Sequence, residues 1–275
     1  MNAVIAILGP TASGKSAHAM KLAREHNGEI ISCDSMQVYR GMNIGTAKAT
    51  QAEQQEIPHH MLDICDPNET YTAARYANEA LACIRDIQSR GKMAIICGGT
   101  GFYWQALHLG ISNAPPGNDA IRARLAMLDT AELLVQLHKV DPVSAEKILP
   151  NNRQRLIRAI EVHELSGKPL SSFEAHGTPR FEADITMLNP AREALYARIN
   201  ARVDSMIKHG LLDEIEALLS GGTLSVTASN AIGYKEFIPV VRDGADLAAA
   251  IALCKQNTRR YAKRQVTFFR PSKPE

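Results

Sequence analysis

Along the first hundred residues, short apolar runs alternate with longer segments of helical character. Residues 3–8 and 93–97 are apolar and rich in β-branched side chains, and residues 29–32 carry the same Ile-Ile centre. Runs of that length bounded by turn residues read as parallel strands buried on both faces. Residues 17–26 favour helix by composition. A second helix starts at Thr70-Tyr71-Thr72 and runs to about Arg90, where Gly91 stops it. A cluster of breakers at residues 112–118 then interrupts the alternation. From Ala120 to about Leu165 the period is helical throughout, with Ile121, Leu125 and Leu128 on one stripe and Leu133, Leu134 and Leu137 on another. Residues 184–188 read as a strand returning to the first sheet, followed by a helix over 191–209 and a last helix from Lys255 to Arg264. The expected fold is α/β: a P-loop NTPase-like parallel sheet flanked by helices, with an all-helical insertion subdomain. The core is expected over 1–114 and 185–275, and the insertion over 115–184.

The first strand is followed by Gly9, Pro10, Thr11, Ala12, Ser13, Gly14, Lys15 and Ser16, then by helix. Strand, G-x-x-x-x-G-K-S and helix in that order form the context of a phosphate-binding P-loop. Glycine lets successive backbone N–H groups point inward at phosphate oxygens, and the helix adds the positive end of its dipole. Lys15 supplies a point charge, and the Ser16 hydroxyl is a candidate ligand for Mg²⁺. The loop alone does not choose among kinases, NTPases and group transferases.

Composition narrows the class. The chain has 275 residues, 45% hydrophobic content and a net charge of +2. Its five cysteines, Cys33, Cys65, Cys83, Cys97 and Cys254, form no C-x-x-C pair, which argues against a zinc knuckle or redox dithiol and fits a reducing, cytoplasmic setting. There is no leader pattern and no apolar run of membrane-spanning length. Cations nevertheless crowd the end of the chain. Lys255, Arg259, Arg260, Lys263, Arg264, Arg270 and Lys273 face no acidic residue between Asp246 and Glu275, and Tyr261, Phe268 and Phe269 are interleaved with them. A one-sign tail on a nearly neutral chain is the footprint of a polyanion.

Other positions carry candidate chemistry. Asp34 follows the second strand, where open α/β sheets bind ligands. Residues 36–48 lack helix or strand periodicity and read as a long ordered loop over the site. Gly98-Gly99-Thr100-Gly101 follows the next strand, its glycines permitting close backbone approach and Thr100 offering a hydroxyl. His59 and His60 are adjacent, so on a strand they point to opposite faces, and no third metal ligand has suitable spacing. Arg155 and Arg158 share a helix face, as do Arg198 and Arg202, a pair able to clamp a diphosphate. Solvated helix charge is the alternative for both pairs.

Taken together, these blocks resemble the tRNA dimethylallyltransferases, the bacterial isopentenyl-tRNA transferase family. The resemblance lies in the P-loop, in the stretch from Ile31 to Tyr39, and in Gly41-Met42-Asn43-Ile44-Gly45-Thr46-Ala47-Lys48. It continues in His59-His60-Met61-Leu62-Asp63, Gly98 to Tyr103, Gln154 to Val162, Ala231-Ile232-Gly233-Tyr234-Lys235, and Lys263 to Arg270. The chain stops soon after that last block, where many members continue. The resemblance implies transfer of a dimethylallyl group from dimethylallyl diphosphate to N6 of an adenosine beside the tRNA anticodon. Asp34 would be the general base, with Thr11, Lys15, Arg202 and Mg²⁺ on the departing diphosphate. It assigns Asp34, Ser35, Met36, Gln37, Thr100, Arg122, Gln154, Arg155, Leu156, Ile157 and Arg158 to the flipped base and its flanks, and Lys263, Arg264 and Arg270 to backbone phosphate. The insertion would act as an arm on the anticodon stem. The expected partners are tRNA and dimethylallyl diphosphate, for a monomer with no membrane association. A P-loop small-molecule kinase and an adenylate prenyltransferase remain alternatives, although neither needs the basic tail or the large insertion.

Overall fold

A computed structural model describes residues 4–173 and 177–270. Lys273 lies outside them. Five strands form one sheet: β1 (Val4–Leu8), β2 (Gly28–Cys33), β3 (His59–His60), β4 (Met93–Gly98) and β5 (Ala183–Met187). The order is β3-β2-β4-β1-β5, and every pairing is parallel. Side chains alternate across the strands. Val4, Ala6, Leu8, Ile31 and Ile96 enter one core cluster, while Ile7, Ile30 and Ile95 enter another on the opposite face. The helix α1 (Lys15–Glu25) covers the second face with Ala19, Met20 and Ala23. Between β2 and β3 lies the short α2 (Gln51–Glu56), and α3 (Ala73–Ser89) covers the first face with Tyr76, Ala77, Ala80, Ile84 and Ile87. Thr72 caps α3 by accepting the Arg75 N–H.

Register places the site. Leu8 and Cys33 both align with Gly98. The chain therefore leaves β1, β2 and β4 at one level of the sheet, delivering Gly9, Asp34 and Gly99 to the same carboxyl edge. After β4 comes α4 (Gly101–Leu109), of whose aromatic triplet Tyr103 and Trp104 are buried while Phe102 is exposed. The triplet is mainly packing.

A separate unit spans residues 109–178 and contains α5 (Asp119–Ala126), α6 (Thr130–Val140), α7 (Pro142–Lys147) and α8 (Arg153–Ser166). Leu125, Leu133, Leu137, Leu156, Ala159 and Ile160 form its core. Its bounds differ from the expected 115–184 for a definite reason. The Leu109 carbonyl accepts the Gly177 N–H and closes the unit at its base. Phe181 already packs edge-on against Trp104 and His108, and Val4 donates to the Glu182 carbonyl. Breaker residues mark where periodicity stops; they do not mark where contacts change hands.

Beyond β5 the core continues through α9 (Arg192–Lys208), α10 (Leu211–Ser220), α11 (Val226–Ser229), α12 (Ile238–Asp243) and the 22-residue α13 (Leu247–Phe268). Helices α9 and α13 pack together: Lys255 pairs with Asp204 at 2.6 Å and Arg259 donates to Asn200 at 2.7 Å. Among the described residues, no helix is long and apolar enough to cross a membrane.

Candidate active site

A cavity of about 700 Å³ opens where the three strands end, lined by the P-loop, Asp34, Thr100's neighbour Gly99, Arg202 and the end of α13. Gly14 precedes α1 with φ +96°, a left-handed conformation that glycine adopts without strain, so the helix N-terminus can start inside the loop. Ser13 is buried, and its Oγ has no hydrogen-bond partner among the described residues. An orphaned hydroxyl in a phosphate-type loop fits an anionic ligand. Lys15 Nζ meanwhile donates to the Pro10 carbonyl at 2.6 Å. On α9, Arg202 turns its guanidinium to Thr11 Oγ1 at 3.4 Å. Burial holds the pKa of both Lys15 and Arg202 below its ordinary value, and Asp34 only partly offsets this. Two desolvated cations beside a single carboxylate leave the cavity short of negative charge, the state a diphosphate would complete.

Asp34 ends β2 in a tight turn: its Oδ1 accepts the N–H of Met36 at 2.8 Å and of Gln37 at 3.4 Å. No partner is recorded for Oδ2 among the described residues. Thr100 Oγ1 accepts the Ser35 N–H at 3.0 Å, fixing the adjoining residue. Tyr261 of α13 stands next to Thr100, its phenol pushed up to about 12 by burial and by the Asp34 charge. Cys33 and Cys97 are likewise driven up by burial, to about 12 and about 11, which disfavours the nucleophilic thiolate form.

The loop over residues 36–48 is indeed irregular and well tied down. Lys48 Nζ reaches the Tyr39 carbonyl at 2.7 Å and Asp63 at 2.6 Å. Glu214 of α10 accepts the N–H groups of Asn43, Ile44 and Gly45 together with the Tyr234 hydroxyl. Glu214 carried no local signal in the sequence, because its role is made by residues far from it in the chain.

The chain matches a known family. The IPP transferase family model matches residues 37–272. The tRNA dimethylallyltransferase of Levilactobacillus brevis is 46% identical over 273 residues, spanning 97% of this chain and 89% of the relative. This chain belongs to the IPP transferase family. The tRNA dimethylallyltransferase of Geobacter metallireducens is also 46% identical, over 275 residues, with 97% of this chain and 89% of the relative covered. Among solved structures, the tRNA isopentenylpyrophosphate transferase of Bacillus halodurans superposes with a TM-score of 0.73 at 39% identity, covering 99% of this chain and 88% of that one. A eukaryotic dimethylallyltransferase acting on tRNA gives 0.83 at 33% identity, covering 98% and 70%.

Within this chain, the expected site residues do not all come together. Thr11, Ala12, Ser13, Gly14, Lys15, Ser16, Asp34, Ser35, Met36, Arg202 and Arg264 line the cavity. Arg198 does not: it is exposed on α9, so the two arginines make no clamp and Arg202 alone meets the loop. Gln37 lines the cavity too, but its amide is occupied, accepting from Ser32 Oγ and donating to the carbonyls of Thr46 and Ala47. Leu156 was expected at the base; it is fully buried in the helical unit's core, with Ile157 packed against the same cluster, because both lie on the apolar stripe of α8. Gln154 and Arg155 are exposed. Arg122 and Arg158 converge instead on buried Glu161, at 2.8 and 2.6 Å. Lys263, Arg264 and Arg270 are exposed, and the Arg264 guanidinium lies 5.6 Å from the Tyr261 ring centroid.

Gly98 and Gly99 of the Gly-Gly-Thr-Gly turn line the cavity, and the turn is also closely packed from behind. A Cβ at Gly98 would stand 2.1 Å from the Cys33 carbonyl oxygen, one at Gly99 2.3 Å from Gln265 Nε2, and one at Gly101 2.2 Å from the Phe268 ring. The glycines make room for β2 and α13. His60 bonds Glu29 and His59 bonds the Ile57 carbonyl, and no trio of potential metal ligands occurs among the described residues.

Proposed function

We propose that this transferase moves the dimethylallyl group of dimethylallyl diphosphate to N6 of the adenosine 3′-adjacent to the anticodon, in tRNAs reading codons that begin with U. The observation that carries the reading is the convergence of P-loop, Arg202 and the open oxygen of Asp34 on one cavity. The adenine amine is a weak nucleophile because its lone pair is delocalised into the ring. Asp34 Oδ2 accepts its proton as the N6–carbon bond forms and the carbon–oxygen bond to diphosphate breaks. Negative charge then grows on the departing diphosphate. Lys15, Arg202, the α1 N-terminus and the Ser13 hydroxyl receive it in a partly water-excluded site, where such contacts are worth most. Oδ1, held by backbone N–H groups, keeps the carboxylate aimed.

The donor set fits Mg²⁺. The Ser16 hydroxyl in the first turn of α1, together with diphosphate oxygens, offers the hard oxygen ligands that the ion prefers. When bound, the ion would neutralise diphosphate charge. Lys263, Arg264 and Arg270 fit the tRNA backbone, and the free side chains of Gln154 and Arg155 fit nucleotides flanking the target. A buried target base must leave its stack to be reached. Five unpaired cysteines suit a cytoplasmic enzyme.

Incubation with Mg²⁺, labelled dimethylallyl diphosphate and either unmodified tRNA or AMP tests the reading. Label at the adenosine beside the anticodon is the expected result. Label in AMP alone would replace it with a nucleotide prenyltransferase.

A further inference from the structure

Gln265 is among the few fully polar side chains buried in the molecule, and it lies in the basic stretch of α13 expected to face RNA. It faces the other way. Its Oε1 accepts the backbone N–H of Thr11 at 2.8 Å, and its Nε2 donates to the Gly99 carbonyl at 2.8 Å. Both halves of the amide are thus used, across 254 positions of sequence in the first case. Gly99 is shaped for this contact, since any Cβ there would strike the Gln265 amide.

Thr11 lies at the turn of the P-loop and receives Arg202 on its hydroxyl. A loop that must present N–H groups to an anion cannot let one of them wander into a competing turn. We propose that Gln265 is a positioning residue for the diphosphate. By holding Thr11 through its backbone, it fixes the P-loop and seats Arg202. Both polar ends of its amide are taken by the chain, so it acts on the diphosphate through the loop. The strap also ties the loop to α13, the helix whose exposed side carries Lys263 and Arg264. This rests on the diphosphate reading given above and assigns to one buried amide the job of keeping that site in shape.

The test is calorimetric binding of inorganic diphosphate, with Mg²⁺ and without RNA, to the full chain, to Gln265→Met, to Arg202→Lys and to the double variant. Gln265→Met keeps the volume and removes both hydrogen bonds. It is expected to weaken diphosphate binding about tenfold, the size of one well-placed bond. If Gln265 works by seating Arg202, the double variant is no weaker than Arg202→Lys by more than about twofold, since the two act as one unit. Additive losses would mean that Gln265 acts on the loop independently of Arg202, which overturns the seating of Arg202. Should Gln265→Met not fold, Gln265→Asn replaces it: one methylene shorter, it can serve Thr11 or Gly99 but not both, and a smaller loss is expected. Unchanged affinity in a folded Gln265 variant overturns the proposal. Absence of diphosphate binding in the unaltered chain overturns the reading of the site itself, and this proposal with it.

Discussion

Glu29 stands near the start of β2, and Asp34 follows directly on its end. Glu29 is 2% exposed and surrounded by Arg90, Lys92 and His60, at 2.5, 2.7 and 2.7 Å. Its carboxyl is held well below the usual carboxylate range, first by the Arg90 hydrogen bond and then by those of Lys92 and His60, against the opposing effect of burial. Asp34 has one oxygen engaged by backbone and the other open, beside two desolvated cations that it satisfies only in part. At one end of the strand every charge is answered within the chain. At the other, charge is left for something else to answer. The first pattern stabilises a sheet; the second costs stability and makes a site.

Removing each charge should break the comparison in opposite directions. Asp34→Asn keeps the Oδ1 acceptor of the turn and removes only the base. Turnover on tRNA is expected to fall about 10²–10⁴-fold, with tRNA affinity and melting temperature held. Near-normal turnover would take Asp34 out of the proton transfer. Arg202→Met should lower kcat/KM about 10²–10³-fold, as loss of a charge aimed at a developing anion does. Because a half-buried cation that Asp34 answers only in part is being removed, its melting temperature should not fall. A clear drop would show that Arg202 is answered within the protein after all.

Glu29→Gln should do the reverse, leaving kcat/KM intact and lowering stability by about 2 kcal/mol. The figure lies below the ~3–5 kcal/mol of a fully buried broken pair because Arg90 and Lys92 are 39% and 33% exposed and can turn to water. The pH dependence has a definite sign. A carboxyl whose folded pKa is depressed stabilises the fold above its ordinary value of 4.5, and that contribution is lost as pH falls. Denaturant titrations at pH 7 and at acid pH should therefore separate the parent from Glu29→Gln at neutral pH and bring them together in acid.

What the sequence made legible follows the range of the interactions involved. The P-loop, the strand runs and the Thr72 cap are made by neighbours within a few positions, so composition and spacing expose them. Asp34 was found because a strand end locates it. Gln265 and Glu214 were not, because each acts on backbone groups of a distant loop, and nothing beside them in the chain announces this. Leu156 shows the converse. A residue placed at the site by its motif is held in a hydrophobic core by its helix stripe, and only the packing of α6 against α8 reveals it. The Gly98–Gly101 turn shows its second constraint only in the fold: Gly98 and Gly99 line the cavity, while a Cβ on the turn would meet a strand carbonyl, an amide or a phenyl ring.

Lys15 supplies the mildest test of the comparison. Burial lowers its pKa from the ordinary 10.5, so it begins to lose its proton at a lower pH than a solvated lysine does. Only the protonated amine attracts a diphosphate. Affinity for inorganic diphosphate should therefore decline as pH rises from neutrality through the lowered pKa, with the fall well advanced before 10.5. Diphosphate ionisation changes over the same interval and acts in the opposite sense, which makes Lys15→Arg the necessary companion. Its guanidinium stays charged throughout, so calorimetry across that range should show the alkaline decline in the parent and not in the variant. Parallel curves would mean that the amine, bonded to the Pro10 carbonyl in the structure, stays there when the anion binds, and that the loop's N–H groups and Arg202 hold the diphosphate without it.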